Sequence, residues 1–188
     1  MSAAPARIET AAGAFPALDV GAGEPVLLLH GALGDWRTLA PVAERLVGRR
    51  AVCVTQRWFG DPAWPEDGPP FGVQTHAEDI AAMLDALGPA HVVAWSYAAH
   101  PAMLAAAARP ALARSLLLYE PGCSVGLRDG ALAAWKADAR AWMEPIMAAP
   151  DLAAAARALV DGAMGVENAL ARLPAASRAV MLENAPSL

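Results

Sequence analysis

Lysine is nearly missing from this 188-residue chain: Lys136 stands alone, and 14 basic residues against 19 acidic ones leave a net charge of −5. A nucleic-acid-binding surface needs a basic face. The local cluster of Arg45, Arg49 and Arg50 reads instead as a complement to the dipole at a helix C-terminus, so no nucleic-acid partner is expected. Cysteine is as scarce. Cys53 and Cys123 are the two present, and their spacing suits neither a disulfide framework nor a zinc site. No metal and no cofactor is expected. Charged residues make up 18% and apolar ones 56%, too apolar a balance for disorder. Yet no apolar run reaches the roughly eighteen residues of a membrane span; the richest stretch, Pro101 to Leu118, is broken by Arg109, Pro110, Arg114 and Ser115. Met1 to Glu9 lacks the basic and then apolar layout of a secretion signal. No membrane partner is expected, and the cytoplasm is the expected location. Histidine is limited to His30, His76, His91 and His100, with none in the remaining half of the chain.

What is present is an alternation of short apolar runs and longer helical patterns, the signature of a parallel sheet wrapped by helices. Pro25 to His30 is a continuous apolar run between glycines, as in a strand buried on both faces. Asp35 is placed to cap a helix over Trp36 to Val47, with Leu39, Val42, Ala43, Leu46 and Val47 on one side. Ala51 to Thr55 is the next strand. A loop rich in proline and glycine occupies Gln56 to Gly72, including Pro62, Pro65, Pro69 and Pro70. Thr75 and Glu78 form a capping box for a helix running to Leu87, which Gly88 stops. His91 to Trp95 is a strand, Ser96 to Ala108 a helix, and Ser115 to Tyr119 a strand. After Pro121 the alternation ends. Helical patterns alone remain, around Ala131 to Met147, Asp151 to Met164 and Ala175 to Leu182. The expected domains are a βα core over residues 1–121 and a helical segment over 122–188.

The chemistry centres on Ala94-Trp-Ser96-Tyr-Ala98, set between a buried strand and a helix. A serine on so sharp a turn is held in a strained backbone conformation that lifts its hydroxyl above the sheet, and the flanking small residues keep the turn free of collisions. The usual pattern has glycine at both small positions; here both are alanine. The ordinary alternative is a serine that caps a helix. His30-Gly31-Ala32 comes directly after a buried strand. There the backbone N–H of Ala32 would pair with that of Tyr97 to hold a developing oxyanion. The His30 imidazole itself reads as a buried group that fixes a turn.

Leu28 to Trp36, Gln56 to Gly60, Asp79 to Leu87, Val92 to Tyr97 and Leu117 to Pro121 resemble, in order and spacing, the α/β-hydrolase superfamily. The resemblance is close over Pro25 to Pro121. It implies an α/β fold with a mostly parallel sheet, flanking helices and a helical cap inserted after the sixth strand. It matches Ser96 to the catalytic nucleophile, and Ala32 and Tyr97 to the oxyanion-hole donors. A serine there argues against the epoxide hydrolase and haloalkane dehalogenase branches, which carry aspartate.

The departure from that family comes after Ser96. Members keep the order serine, acid, histidine, and the one histidine after Ser96 is His100, a single helical turn along. His91 starts the strand that ends beside Ser96, roughly 15 Å away at 3.3 Å per residue, and His76 precedes the turn. Glu120 stands where some members keep their acid, though a carboxylate anchoring the turn before Pro121 is the simpler reading; Asp161 and Glu167 have no better claim. The expectation is that acid and histidine lie beyond Leu188, so that the C-terminal part of the fold is missing. The strand over Ser115 to Tyr119 is then an unpaired edge open to self-association. The expected function is a hydrolase acting on a small-molecule acyl substrate such as an ester. Trp135, Trp142, Met143, Met147 and Met164 would line or cover an apolar pocket, the ordinary alternative for each being helix packing. The alternatives are a non-catalytic homologue or fragment that binds a ligand or partner, or a lyase or cofactor-free oxygenase on the same elbow.

Overall fold

The computed structural model describes residues 6–60, 64 and 68–188. Pro62 and Pro65 of the loop, and the first five residues of the supposed non-secretory start, lie outside the described residues. Two compact units divide the chain, Met1–Gly122 and Cys123–Leu188.

The first unit is a six-stranded mixed sheet with helices on both faces. Its strands are β1 (Ala6–Thr10), β2 (Gly13–Gly21), β3 (Glu24–Leu29), β4 (Arg49–Val54), β5 (Ala90–Trp95) and β6 (Ala113–Tyr119), in the spatial order β1-β2-β4-β3-β5-β6. The four central and distal strands β4, β3, β5 and β6 are parallel, whereas β1 and β2 form an antiparallel hairpin joined to β4. The sequence pattern does not announce this hairpin. In β1 polar and apolar residues alternate over five positions, and the apolar stretch of β2, Ala14 to Leu18, carries Pro16, a residue that argues against a strand.

Parallel strands buried on both faces explain the runs that are legible. Leu27 and Leu29 face a core built with Ile80, Met83 and Leu84 of α2 (Val73–Leu87) and Ala102 and Ala105 of α3 (Ala99–Ala108). Val26 and Leu28 face the opposite side, with Ala43, Trp36 and Leu39 of α1 (Trp36–Ala43). The edge strand β6 is thinly covered: Leu116 and Leu118 pack on the first core, while Leu117 and Tyr119 are more than half exposed. Among the described residues the outer edge of β6 pairs with no strand.

Three local expectations need correction. Asp35 does cap α1, accepting from the Arg37 N–H at 2.8 Å with Thr38 completing the box. The helix ends at Ala43 rather than Val47, because the chain beyond it tightens into bonds from Arg45 to Val42 and from Leu46 to Ala43, and Val47 stands exposed. Thr75 and Glu78 form no capping box. The α2 helix begins at Val73 after Gly72 with no side-chain cap, Thr75 is buried within its first turn, and Glu78 accepts from Gln74 on the outer face instead. Of the three arginines, Arg45 alone meets a helix carbonyl, that of Pro41. Arg49 and Arg50 belong to β4 and pair with Glu24 and Asp19.

The second unit is wholly helical among its described residues. It comprises α4 (Asp129–Met147), α5 (Leu152–Met164, capped by Asp151), α6 (Ala169–Arg172) and α7 (Ala175–Glu183). The first two pack together where the Trp142 indole lies on Gly162; a Cβ there would come within 2.4 Å of its Nε1. Trp142, Met143, Met147 and Met164 remain substantially exposed. No helix of the described residues is long and apolar enough to cross a membrane.

The first unit contains a buried ion pair, Arg57 with Asp79. Both side chains are under a tenth exposed, and two hydrogen bonds of 2.8 Å join them. Removing one partner leaves a buried charge uncompensated, which typically costs about 3–5 kcal/mol. Asp79→Ala should therefore lower the unfolding free energy by at least about 3 kcal/mol in urea titration. Loss of the exposed Asp85–Arg109 pair in Asp85→Ala should leave the urea midpoint nearly unchanged.

Candidate active site

The parallel strands end on one side of the sheet, and two of those ends carry the candidate residues. After Trp95 the chain turns through a short 3₁₀ segment, Ser96–Ala98, before α3 begins. Ser96 is thus not the first residue of a regular helix: its φ is +52°, in the left-handed region. A non-glycine residue there costs about 1–2 kcal/mol and persists only where neighbours impose it. Ala94 and Ala98 on either side are fully buried, so larger side chains at those positions would press against the core.

The β3 end supplies the facing loop, His30 to Asp35. A Cβ added at Gly31 would lie 3.0 Å from the Ser96 Cβ, 3.3 Å from the Trp95 oxygen and 3.7 Å from the Ser96 Oγ. Glycine at 31 is what lets the loop approach the serine. Ala32 comes next, partly exposed, and then buried Leu33 at φ +60°. Ser96, Ala32 and Tyr97 therefore lie on two adjoining turns, after β3 and after β5, which are neighbouring strands.

His30 is buried and fixes this loop. Its Nδ1–H donates to the Gly31 oxygen at 2.8 Å and its Nε2 accepts from the Gln56 N–H at 3.1 Å. The Gln56 amide returns a bond to the His30 oxygen at 2.7 Å. Both ring nitrogens are thus used by the neutral form, and burial pushes the His30 pKa down to about 4.

The remaining histidines lie apart from the serine hydroxyl or are otherwise engaged. His91 sits at the far end of β5, within 2.8 Å of the Ser115 Oγ and 3.7 Å of Glu24. His100 is the second residue of α3. His76 is 1% exposed, and its Nδ1 lies 2.6 Å from the Tyr97 hydroxyl. Glu120 is exposed, at φ +49°, and accepts a long 3.4 Å bond from the Trp95 indole. Asp161 is bound to the Asn168 and Leu170 N–H groups in the helical unit. No group of three or more metal-ligating side chains occurs among the described residues.

Sequence reasoning passes over the aromatic cluster beside the elbow. Phe59, Phe71, His76 and Tyr97 surround one another, with Phe71 stacked on Tyr97 at 5.7 Å. The aromatic residues of the Gln56 to Gly72 loop are the one available signal.

Residues 26–187 match the profile described as "Alpha/beta hydrolase family". A 2-hydroxy-6-oxo-2,4-heptadienoate hydrolase from Pseudomonas putida is 35% identical over 126 residues, which span 62% of this chain and 45% of that protein. The match thus spans under half the length of that curated relative. An alpha/beta hydrolase from Sphaerobacter thermophilus superposes with a TM-score of 0.69 at 26% identity, covering 97% of this chain and 70% of its own. An alpha/beta hydrolase fold protein from Nakamurella multipartita gives 0.55 at 25% identity, covering 97% and 68%.

The geometry around the elbow sets two expected outcomes. Gly31→Ala forces its methyl to within 3.0 Å of the Ser96 Cβ and should lower stability by about 1–3 kcal/mol in urea titration. His30 binds a proton more readily unfolded than folded, so its contribution is complete above pH 6.5 and is lost as pH falls toward 4. The loss should reach about 3 kcal/mol, read as a falling urea midpoint between those pH values.

Proposed function

Since the chain belongs to the alpha/beta hydrolase family, we propose that it carries the nucleophile half of a hydrolase active site, with Ser96 attacking the carbonyl of a small acyl substrate. The observation that carries this reading is the left-handed backbone of Ser96 between a buried strand and a helix, with Gly31 so close that an added Cβ would lie 3.0 Å from the Ser96 Cβ. Nothing in the packing of a helix-capping serine requires either feature.

In the proposed reaction the Ser96 Oγ forms a bond to the acyl carbon as its proton passes to a base. The carbonyl π electrons move onto oxygen, where the N–H groups of Ala32 and Tyr97 stabilise the charge. Collapse of that intermediate expels the leaving group, and water later releases the acyl group from the serine. The helical segment 122–188 takes the part of the cap. Esters are the first substrates to assay. The Pseudomonas putida relative is named for an oxo acid, so small keto acids belong beside them.

A second reading rests on one observation. Among the described residues none of the four histidines is bonded to Ser96, and a serine without its base keeps only the part of catalysis that binding and the oxyanion site supply. In that reading this chain binds an acyl ligand without turning it over. A fluorophosphonate probe separates the two. Under the hydrolase reading the protein is labelled, and Ser96→Ala abolishes the labelling. A folded wild-type chain that resists the probe supports the non-catalytic reading.

A further inference from the structure

Tyr97 is the next residue after the nucleophile, and its side chain is held at the tip. The phenol O–H donates to the His76 Nδ1 at 2.6 Å. The His76 Nε2–H donates in turn to the Arg57 carbonyl at 2.9 Å. A carbonyl can only accept, so Nε2 carries the proton and Nδ1 offers its lone pair to the phenol. Nothing about this chain of bonds is loose. Arg57 is clamped by Asp79 through two bonds of 2.8 Å and by the Ala12 carbonyl at 2.7 Å. The guanidinium lies over the Phe15 and Trp64 rings at 5.5 and 5.3 Å. Rings close off the rest: Phe71 stacks on Tyr97, and His76 meets it edge-on at 5.5 Å.

We propose that His76 is a positioning residue for the elbow: its neutral imidazole anchors the Tyr97 phenol and thereby sets the direction of the Tyr97 main-chain N–H beside Ser96. The side chain leaves the Cα to which that nitrogen is bonded, and its rotamer depends on the backbone dihedrals, so holding the ring at its tip restrains the short turn and with it the peptide plane that carries the N–H. The proposal rests on the reading of that N–H as an oxyanion donor.

The anchor works in one protonation state. A protonated His76 donates at both nitrogens, so the phenol must reverse and accept, and its own proton loses its partner. The groups facing His76 are Asp79 on its own helix, Arg57 from the loop after β4, neutral His30 from the end of β3 and Tyr97 from the turn after β5. Burial and the Arg57 charge oppose protonation, while the Arg57 carbonyl and Asp79 favour it, and the balance keeps the pKa below its usual 6.5. The neutral anchor is complete at pH 7 and is released on acidification.

Nuclear magnetic resonance on the full 188-residue chain, labelled with ¹⁵N, tests this without requiring turnover. On acidification from pH 7.5 the Tyr97 amide resonance should move with the same midpoint as the His76 ring. In Tyr97→Phe, which keeps the ring and loses the donor, the His76 midpoint should rise by about half a pH unit or more. In His76→Gln the Tyr97 amide should no longer follow that transition. A Tyr97 amide that stays fixed through the His76 titration, or a His76 midpoint unchanged by Tyr97→Phe, overturns the assignment. The fluorophosphonate experiment is independent of this one. Coupling without labelling retires the nucleophile reading alone, and labelling without coupling retires the His76 assignment alone.

Discussion

The buried Arg57–Asp79 ion pair organises the first unit, because four separate pieces of chain converge on it. Arg57 leaves β4 and reaches the turn of the β1–β2 hairpin through the Ala12 carbonyl. Asp79 brings in α2, and the Arg57 carbonyl receives His76, which in turn holds Tyr97. A buried charge pair is a poor source of net stability, since desolvation consumes much of the attraction. What it does supply is geometry. Two fork-like hydrogen bonds admit one arrangement of the guanidinium, and the rings of Phe15 and Trp64 close over it. The hairpin, which adds nothing to the candidate chemistry directly, is thereby part of what holds the elbow.

That connection bears on how strain at Ser96 is tolerated. A left-handed serine is held by contacts on all sides rather than by its own preference. Ala94 and Ala98 fill the core below, Gly31 lies against the side chain, and the Tyr97 phenol is tied through His76 to the ion pair. The strain costs little compared with the burial of the β3 and β5 strands that converge there. Local structure and candidate function thus have one cause, the close approach of two strand ends.

The legible parts of this fold are those whose signal is local in sequence. Val26 to Leu29 and Val92 to Trp95 read as strands because burial on both faces demands unbroken apolar character. Ser96 is legible because its turn restricts residues two before and two after it. The hairpin is not, since β1 has one buried apolar position, Ile8, and the apolar stretch of β2 around Phe15 and Ala17 is interrupted by Pro16. The supposed box at Thr75 and Glu78 fails for a different reason: Glu78 has an equally good partner in Gln74, and nothing in the pattern chooses between them. Read from the sequence, His76 only precedes the turn, outside the order serine, acid, histidine. Its bond to Tyr97 spans 21 residues, and no periodicity encodes a contact between two side chains so far apart.

The uneven covering of the sheet also implies a gradient of motion. Strand β3 has a neighbour on each side and cores on both faces, so its amides open to solvent only when the whole unit unfolds. Among the described residues β6 has one strand neighbour, and Leu117 and Tyr119 are more than half exposed. Its amides should exchange with deuterium through small local openings that need none of that global cost. The elbow lies between these extremes, at the end of β5. It therefore sits at the border between the slowest-breathing part of the unit and one of its fastest.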